Sequence, residues 1–202
     1  FPTRRSSDLI ISYCNAFSQV STDKIINAFS KSYDYEKLKN YSYAIGELKN
    51  VYDQNSFEMN LRLGWLSYLN GDYVSSQTYY KKSISLRPAS IDALLGYVIP
   101  TSALESWDDV LSTYQKVLKL DPNHSSTNYS IALMYYYRRD YAKAELHDQI
   151  VLDHYPFDYD AMLLMAGIKM ALGKKDQAKE YYSKVLIYNP TDEIAKQALE
   201  KL

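Results

Sequence analysis

Apolar and small residues recur along this chain at a fixed interval, in step with four evenly spaced prolines. The prolines are Pro88, Pro122, Pro156 and Pro190, each 34 residues from the next. An interval of this size is typical of stacked structural repeats. Because proline cannot donate to a helical hydrogen-bond ladder, it ends a helix or opens a turn at the same point of every repeat. The pattern therefore predicts one helical hairpin per repeat.

Aligning the chain on the prolines gives four repeats, which span 57–90, 91–124, 125–158 and 159–192. Three places in each repeat hold only small or slender residues. They are Gly64, Val98, Ala132 and Ala166 at the eighth place, Ser76, Val110, Ala144 and Ala178 at the twentieth, and Ser83, Val117, Val151 and Val185 at the twenty-seventh. Small residues at a helix crossing let two backbones approach closely. We expect a tightly packed helix pair in every repeat.

The first repeat carries the most specific motif, LRLGWLSYLNGDYVSSQTYYKKSISLRP at 61–88. Its early Leu-Gly pair, its Gly-Asp-Tyr turn and its late proline resemble the tetratricopeptide repeat. The other repeats keep parts of the motif: LKLDP in the second, RDYAKAE in the third, and LGKKDQAKEYY with YNP in the fourth. The resemblance covers about two thirds of the chain. It implies an all-α, right-handed superhelical solenoid of helical hairpins that serves as a protein-binding scaffold.

Two departures from the family pattern affect single repeats. Pro100 falls inside the first helix of the second repeat, where it is expected to shorten or bend that helix. Asp148 stands in the third repeat at the place where the others have tyrosine, namely Tyr80, Tyr114 and Tyr182. Neither departure changes the 34-residue spacing.

The segments that flank the four repeats are also predicted to be helical. Residues 19–56 resemble a further, degenerate helix pair with a longer turn. Residues 193–202 are expected to form a capping helix whose apolar side carries Ile194, Ala198, Leu199 and Leu202.

Residues 1–18 are interpreted as segments that do not belong to the folded protein. Residues 1–9 match a one-frame translation of sequencing-adapter DNA, and we exclude them from the fold. Residues 10–18 are apolar and end in Ala16-Phe17-Ser18, which fits the tail of a truncated signal peptide, although the start of a buried helix is an alternative. The first interpretation predicts export to the periplasm or outside a bacterial cell; the second leaves a cytoplasmic protein.

Composition and motifs argue against catalysis, nucleic-acid binding and a membrane span. The net charge is −1, without the concentrated basic face that phosphate tracking requires. No apolar run approaches the ~20 residues of a membrane helix. No nucleophile elbow, phosphate loop or metal-ligand motif is present, and His147 and His154 are expected to lie on a solvated helix surface. We predict no catalytic residue, no metal site and no cofactor.

Tyrosine is unusually abundant, at 22 residues, and the repeat places account for only part of this number. In the family that the chain resembles, the first helix of each pair lines the concave face. The places that point into this face predict an aromatic and apolar contact surface formed by Leu61, Trp65, Tyr68, Leu69, Tyr129, Leu133, Tyr136 and Tyr137. These side chains either pack on neighbouring helices or bind a partner, because aromatic residues dominate interface energetics.

The sequence therefore predicts a non-catalytic scaffold that binds another protein or a peptide through a concave groove. A glycan-binding helical module and an accessory or sensor portion of a larger envelope system are the alternatives. The identity of the partner and the oligomeric state stay open.

Overall fold

The computed structural model describes residues 21–202, which form eleven α-helices and no β-strand. The adapter-like segment and the signal-peptide tail predicted for residues 1–18 lie outside the described residues. The chain divides into two compact units, one that ends at Asp53 and one that spans Gln54–Leu202. None of the helices in the described range is long and apolar enough to cross a membrane.

The first unit is a single helix pair, α1 (Thr22–Lys37) and α2 (Tyr41–Lys49). Its buried side chains come from both helices, namely Ala28, Ser32, Ala44 and Leu48. The prediction of a longer turn is wrong, because residues 38–40 form a three-residue turn with Lys39 at a φ of 57°. The pair instead departs from the repeats in its helix lengths, which are 16 and 9 residues.

The second unit is built from four helical hairpins and a final helix. The hairpins are α3 (Phe57–Leu69) with α4 (Tyr73–Leu86), α5 (Ile91–Ala103) with α6 (Trp107–Leu120), α7 (Ser125–Tyr137) with α8 (Tyr141–His154), and α9 (Tyr159–Ala171) with α10 (Lys175–Tyr188); α11 spans Glu193–Glu200. Every first helix has 13 residues and every second helix 14. The predicted all-α solenoid of helical hairpins is confirmed.

The turn inside each hairpin has three residues and one backbone geometry. Its middle residue has a positive φ in all four repeats, at Gly71, Glu105, Arg139 and Gly173. Its last residue precedes the second helix, and Asp72 and Asp140 cap that helix by accepting hydrogen bonds from the backbone N–H of Ser75 and Lys143. The cap satisfies a helix N–H that has no partner within the helix.

The recurring prolines occupy the turns between repeats. In the first of these turns the N–H of Ser90 donates to the carbonyl of Arg87 at 3.1 Å, with Pro88 directly after Arg87. Proline suits this position because its fixed φ matches a β-turn and the turn does not need its N–H. Ser90 then caps α5 by accepting from the N–H of Ala93. The 34-residue signal is therefore a turn signal.

The slender residues at the eighth, twentieth and twenty-seventh places are all buried, in all four repeats. Within the first repeat, the hydroxyl of Ser76 on α4 donates to the backbone carbonyl of Gly64 on α3 at 2.7 Å. A side chain can reach the backbone of the facing helix only where the two helices are close. The predicted tight pairing of helices is confirmed.

The first and second repeats pack together through Tyr80, at the twenty-fourth place of the first, and Gly96, at the sixth place of the second. Tyr80 is 3% exposed, and its ring lies between two glycines on neighbouring first helices. A Cβ added to Gly64 would lie 2.9 Å from this ring, and one added to Gly96 only 2.2 Å. The glycines therefore provide the space that the ring of Tyr80 occupies.

At the junction of the third and fourth repeats the large and the small side chain exchange places. Asp148 replaces the tyrosine, and the sixth place of the next repeat holds the large Leu164. Asp148 is fully buried, and neither of its carboxylate oxygens has a hydrogen-bond partner. Burial, together with the nearby carboxylate of Asp158, raises the pKa of Asp148 to about 8. The side chain is therefore largely protonated at neutral pH.

Three sequence expectations about single residues need correction. Helix α5 is not shortened by Pro100, which lies buried in the last turn of a helix of the usual 13 residues. Ile194 is 62% exposed and Ala195 is buried in its stead, whereas Ala198, Leu199 and Leu202 pack on the core as expected. His154 is exposed as expected, but His147 is half-buried and stacks on Tyr135 at 5.9 Å.

Candidate interaction groove

The predicted contact residues of the first repeat all lie on α3 and are half-buried; they are Leu61, Trp65, Tyr68 and Leu69. The ring centroids of Trp65 and Tyr68 are 5.9 Å apart, and those of Tyr68 and Tyr73 are 5.7 Å apart. A row of three aromatic rings therefore links α3 to the start of α4. Part of each ring packs within the hairpin, and the rest faces solvent.

The predicted contact residues of the third repeat lie on α7 and differ in exposure. Tyr137 is 79% exposed, whereas Tyr129, Leu133 and Tyr136 are half-buried. The hydroxyl of Tyr136 lies 3.2 Å from the position that a Cβ on Gly167 would take, and burial raises its pKa. Tyr136 thus packs against the neighbouring helix α9, as one of the two interpretations of the aromatic residues expected.

The two sets of predicted residues belong to separate repeats. Helix α3 packs on α5, and α7 packs on α9, but α3 and α7 do not pack closely on each other. Tyr129 and Leu133 also contact buried clusters of the last two repeats. The role of all eight residues in partner binding stays a prediction.

A largely apolar groove of about 510 Å³ opens between the second and third repeats. We call it the Trp107 groove, and it is lined by Ser102, Trp107, Val110, Tyr114, Ser130, Leu133, Met134, Tyr137 and Arg138. Leu133 and Tyr137 are among the predicted contact residues. Sequence reasoning missed Trp107, Tyr114 and Met134 as groove residues, because none of these three lies at a concave-face place.

The second repeat lacks the glycines that receive Tyr80 in the first. Tyr114 corresponds to Tyr80, but Val98 and Ser130 stand where Tyr80 faces Gly64 and Gly96. Their side chains occupy space that glycine leaves free. Tyr114 consequently stays half-exposed, and its ring lines the groove instead of filling a slot between the helices.

The rim of the groove combines exposed aromatic rings with one ion pair. Trp107 is 48% exposed and Tyr137 is 79% exposed. Arg138 donates to the carboxylate of Asp108 at 3.1 Å, and the Asp108 side chain is 97% exposed. An ion pair with so exposed a member is weak, which leaves Arg138 able to exchange Asp108 for another carboxylate. The site can therefore accept apolar side chains and one acidic group.

A second and more polar cavity, of about 610 Å³, is lined by the end of the second repeat, by the third repeat and by Asp160 of the fourth. Its walls are formed by Asp121, Asn123, His124, Ser125, Ser126, Tyr129, Val151, Tyr155, Asp158 and Asp160. Burial and the neighbouring carboxylates of Asp160, Asp148 and Asp158 raise the pKa of Tyr129 to about 12. We call this the acidic cavity; it offers two phenol rings and several hydrogen-bonding groups.

In residues 21–202, no group of three or more His, Cys, Asp or Glu side chains is placed to hold a metal ion. Carboxylates of the acidic cavity are partly engaged within the protein, since Asp158 caps α9 through the N–H of Ala161 and Asp121 accepts from the N–H of Asn123.

Two repeats of the chain match sequence models described as tetratricopeptide repeat, one over residues 57–90 and one over residues 160–192. Residues 57–90 and 160–192 are therefore tetratricopeptide repeats, and the helical hairpins between them have the same fold. No curated protein matches the chain in sequence.

Solved structures with the same fold include several repeat proteins of low sequence identity. A tetratricopeptide repeat protein from Parabacteroides merdae has a TM-score of 0.77 and 19% identity, over 89% of this chain and 72% of its own. MamA from Desulfovibrio magneticus has a TM-score of 0.72 and 18% identity, over 85% and 98%. YrrB, described as having an unusual peptide-binding site, has a TM-score of 0.71 and 14% identity, over 90% and 94%.

Proposed function

We propose that this protein is a non-catalytic interaction scaffold that binds a peptide segment of another protein in the Trp107 groove. The observation that carries the proposal is an open, largely apolar groove at a repeat junction, with Trp107 and Tyr137 exposed at its rim. Exposed aromatic side chains beside an apolar cleft are typical of binding sites, because they supply a large contact area at low conformational cost. The description of YrrB as a peptide-binding repeat protein supports the same class of ligand.

The shape and charge of the groove favour a particular kind of segment. Its walls, from Tyr114, Leu133 and Met134, suit aliphatic or aromatic side chains, and methionine adapts to ligands of varied shape. Arg138 at the rim can pair with a carboxylate of the ligand in place of Asp108. We therefore expect a peptide with two or three apolar anchors and an adjacent acidic residue.

A double substitution in the groove tests the proposal. Trp107→Ala with Tyr137→Ala removes both exposed rings, and we expect the affinity for a captured partner to fall by about 10- to 100-fold, since aromatic anchors commonly contribute most of the binding energy. Affinity is measured by titration calorimetry with the partner segment. The melting temperature should stay nearly unchanged, because neither ring is buried.

A matched control separates groove binding from general surface effects. Val74→Ala with Leu146→Ala removes two side chains that are 67% and 62% exposed and lie outside the groove. This control should bind as the wild type does. Equal affinity of the groove variant and the control would contradict the proposal.

The predicted concave surface on α3 is a second place where the same partner can be held. Trp65 and Tyr68 leave part of their rings open to solvent. Substituting Trp65 by Ala should lower the affinity for a long partner segment but leave that of a short groove peptide unchanged. Loss of the helical circular-dichroism signal in this variant would instead assign Trp65 to packing.

Glycan binding is a second candidate function, and the acidic cavity favours it. Tyr129 and Tyr155 can stack on sugar rings, while Asp121, Asp158 and Asp160 can accept hydrogen bonds from sugar hydroxyls. Titration of an oligosaccharide panel, followed by NMR of the tyrosine rings, tests this function. The candidate fails if no member of the panel shifts the signals of Tyr129 or Tyr155.

We also propose that the protein acts in the bacterial envelope after export, either alone or as an accessory or sensor portion of a larger system. The support is the apolar segment that ends in Ala16-Phe17-Ser18. Expression of the complete gene, followed by cell fractionation and N-terminal sequencing, tests export. A cytoplasmic product that retains residues 10–18 would contradict it.

A further inference from the structure

An exposed apolar patch lies at the junction of the third and fourth repeats, in the turn before α9 and on α10, neither of which takes part in the Trp107 groove. Phe157 is 70% exposed, Ile187 is 74% exposed and Tyr188 is 51% exposed. The rings of Phe157 and Tyr188 are in contact, with centroids 5.6 Å apart. We call these three residues the Phe157 patch.

The repeat architecture does not require these residues. The place of Phe157 holds Ala89, Asn123 and Thr191 in the other repeats. The place of Ile187 holds Ser85, Lys119 and Asp153. Because the other repeats fold with small, polar or charged residues at both places, packing within the solenoid does not explain an exposed phenylalanine and isoleucine here.

The patch contains both a protruding side chain and a cavity that can receive one. A cavity of about 440 Å³ lies beside Phe157, and its walls are formed by Gln149, Leu152, Pro156, Phe157, Met162, Tyr181, Lys184, Ile187 and Tyr188. The charged or amide-bearing members of this set have partners within the protein, since Lys184 pairs with Glu180 and Gln149 donates to Asp153. The cavity is therefore lined mainly by apolar groups, and its one charged side chain, Lys184, is already paired with Glu180.

From this geometry we infer that the Phe157 patch is a self-association surface that binds the same patch of a second copy of this chain. In a two-fold arrangement, each Phe157 enters the cavity of the other copy, so that one surface supplies both complementary shapes. This self-complementarity is what a two-fold symmetric interface requires.

The area of the patch is that of a small interface. An aromatic side chain offers about 150–250 Å², so the exposed parts of the three patch residues amount to about 400 Å² per copy. Two copies with their rim residues would bury roughly 1,000 Å², which is at the lower limit for a specific interface. We therefore expect a weak dimer, with a Kd on the order of 10–100 µM.

Sedimentation velocity over a concentration series tests the inference on the full chain. Wild-type protein should change from monomer to dimer as its concentration is raised through the expected Kd. The test variant, Phe157→Asn with Ile187→Lys, carries the residues that the second repeat has at these two places, Asn123 and Lys119. It should fold normally and stay monomeric, with a Kd raised by at least about tenfold.

The control variant also takes a residue from the same place of another repeat, but at a position outside the patch. Val74 is 67% exposed, and its place holds Asp108 and Asp176 in other repeats, so Val74→Asp should dimerise as the wild type does. A wild type that stays monomeric throughout the series would overturn the inference, as would a dimer that persists in the Phe157/Ile187 variant. Loss of binding to an unrelated protein, without any change in self-association, would show that the patch serves a different partner and would also overturn it.

Discussion

The buried Asp148 makes the stability of this protein depend on pH in a direction that can be calculated. Its carboxyl has an ordinary pKa of 3.8, and burial raises the pKa to about 8 in the folded chain. Between these two values the unfolded chain has lost the proton that the folded chain retains. Ionisation of Asp148 therefore does not lower the free energy of unfolding below about pH 4, and lowers it progressively as the pH rises toward 8.

The magnitude follows from the same two values. Each pH unit in the window lowers the free energy of unfolding by about 1.4 kcal/mol, so that the loss between pH 5.5 and 7.5 is about 3 kcal/mol. Asp148→Asn keeps the shape of the side chain and cannot ionise. We expect this loss to be absent in the variant, which should be more stable than the wild type near pH 8.

Urea unfolding at several pH values, followed by circular dichroism, measures the effect. Other groups also titrate in this window; in particular, burial lowers the pKa of His147, which opposes the effect of Asp148 by reducing stability as the pH falls. Asp158, Tyr129 and Tyr181 are the titratable groups whose charges couple to Asp148. The difference between wild type and Asp148→Asn isolates Asp148, because the other groups are common to both proteins.

The result that would refute this reasoning is a parallel pH dependence of the two proteins. It would mean that Asp148 ionises in the folded chain near its ordinary pKa. A carbon NMR titration of the Asp148 carboxyl gives an independent measurement, and a midpoint below about pH 5 would contradict the burial argument.

Three further substitutions test the packing and the turns. Gly96→Ala places a Cβ 2.2 Å from the Tyr80 ring and should cost about 2–3 kcal/mol in urea unfolding, with partial recovery when Tyr80→Leu is added; equal stability of Gly96→Ala and wild type would refute the slot. Glu105→Gly relieves a φ of 56° and should raise the free energy of unfolding by about 0.5–1 kcal/mol, measured by thermal unfolding; equal stability of this variant and the wild type would contradict strain at Glu105. Asp192→Ala removes the cap of α11 at the N–H of Ala195 and should lower stability by about 1 kcal/mol and speed amide exchange in α11; unchanged exchange would contradict this.

Much of the fold was predictable because its signals are local and repeated. The positions of the turns between repeats follow from the four prolines. The helix crossings follow from slender residues such as Gly64 and Ser76, whose places are buried in every repeat. Errors arose where single repeats differ. Pro100 was expected to shorten or bend α5, but α5 keeps 13 residues, because the place of Pro100 in the last turn leaves most of the hydrogen-bond ladder intact. The three-residue turn at Lys39 carries neither glycine nor proline, so its length could not be seen in the sequence.

The candidate site was less predictable because it depends on the fit between repeats. Leu133 and Tyr137 were identified from concave-face places, but Trp107 and Met134 line the groove only because α6 and α7 stay apart. At this junction Val98 and Ser130 stand at the places where Gly64 and Gly96 face Tyr80, and these places are distant in the chain. The same holds for the Phe157 patch, which combines residues from two repeats.

The sequence by itself determined the class of fold, the length of the repeat, the positions of its turns and the absence of recognisable catalytic motifs, because each of these depends on residues close together in the chain. Only the tertiary structure decided which tyrosines pack, where a junction stays open and why Asp148 retains a proton. These features depend on volume and burial at contacts between repeats, where one methyl group more or less decides whether a ring fits.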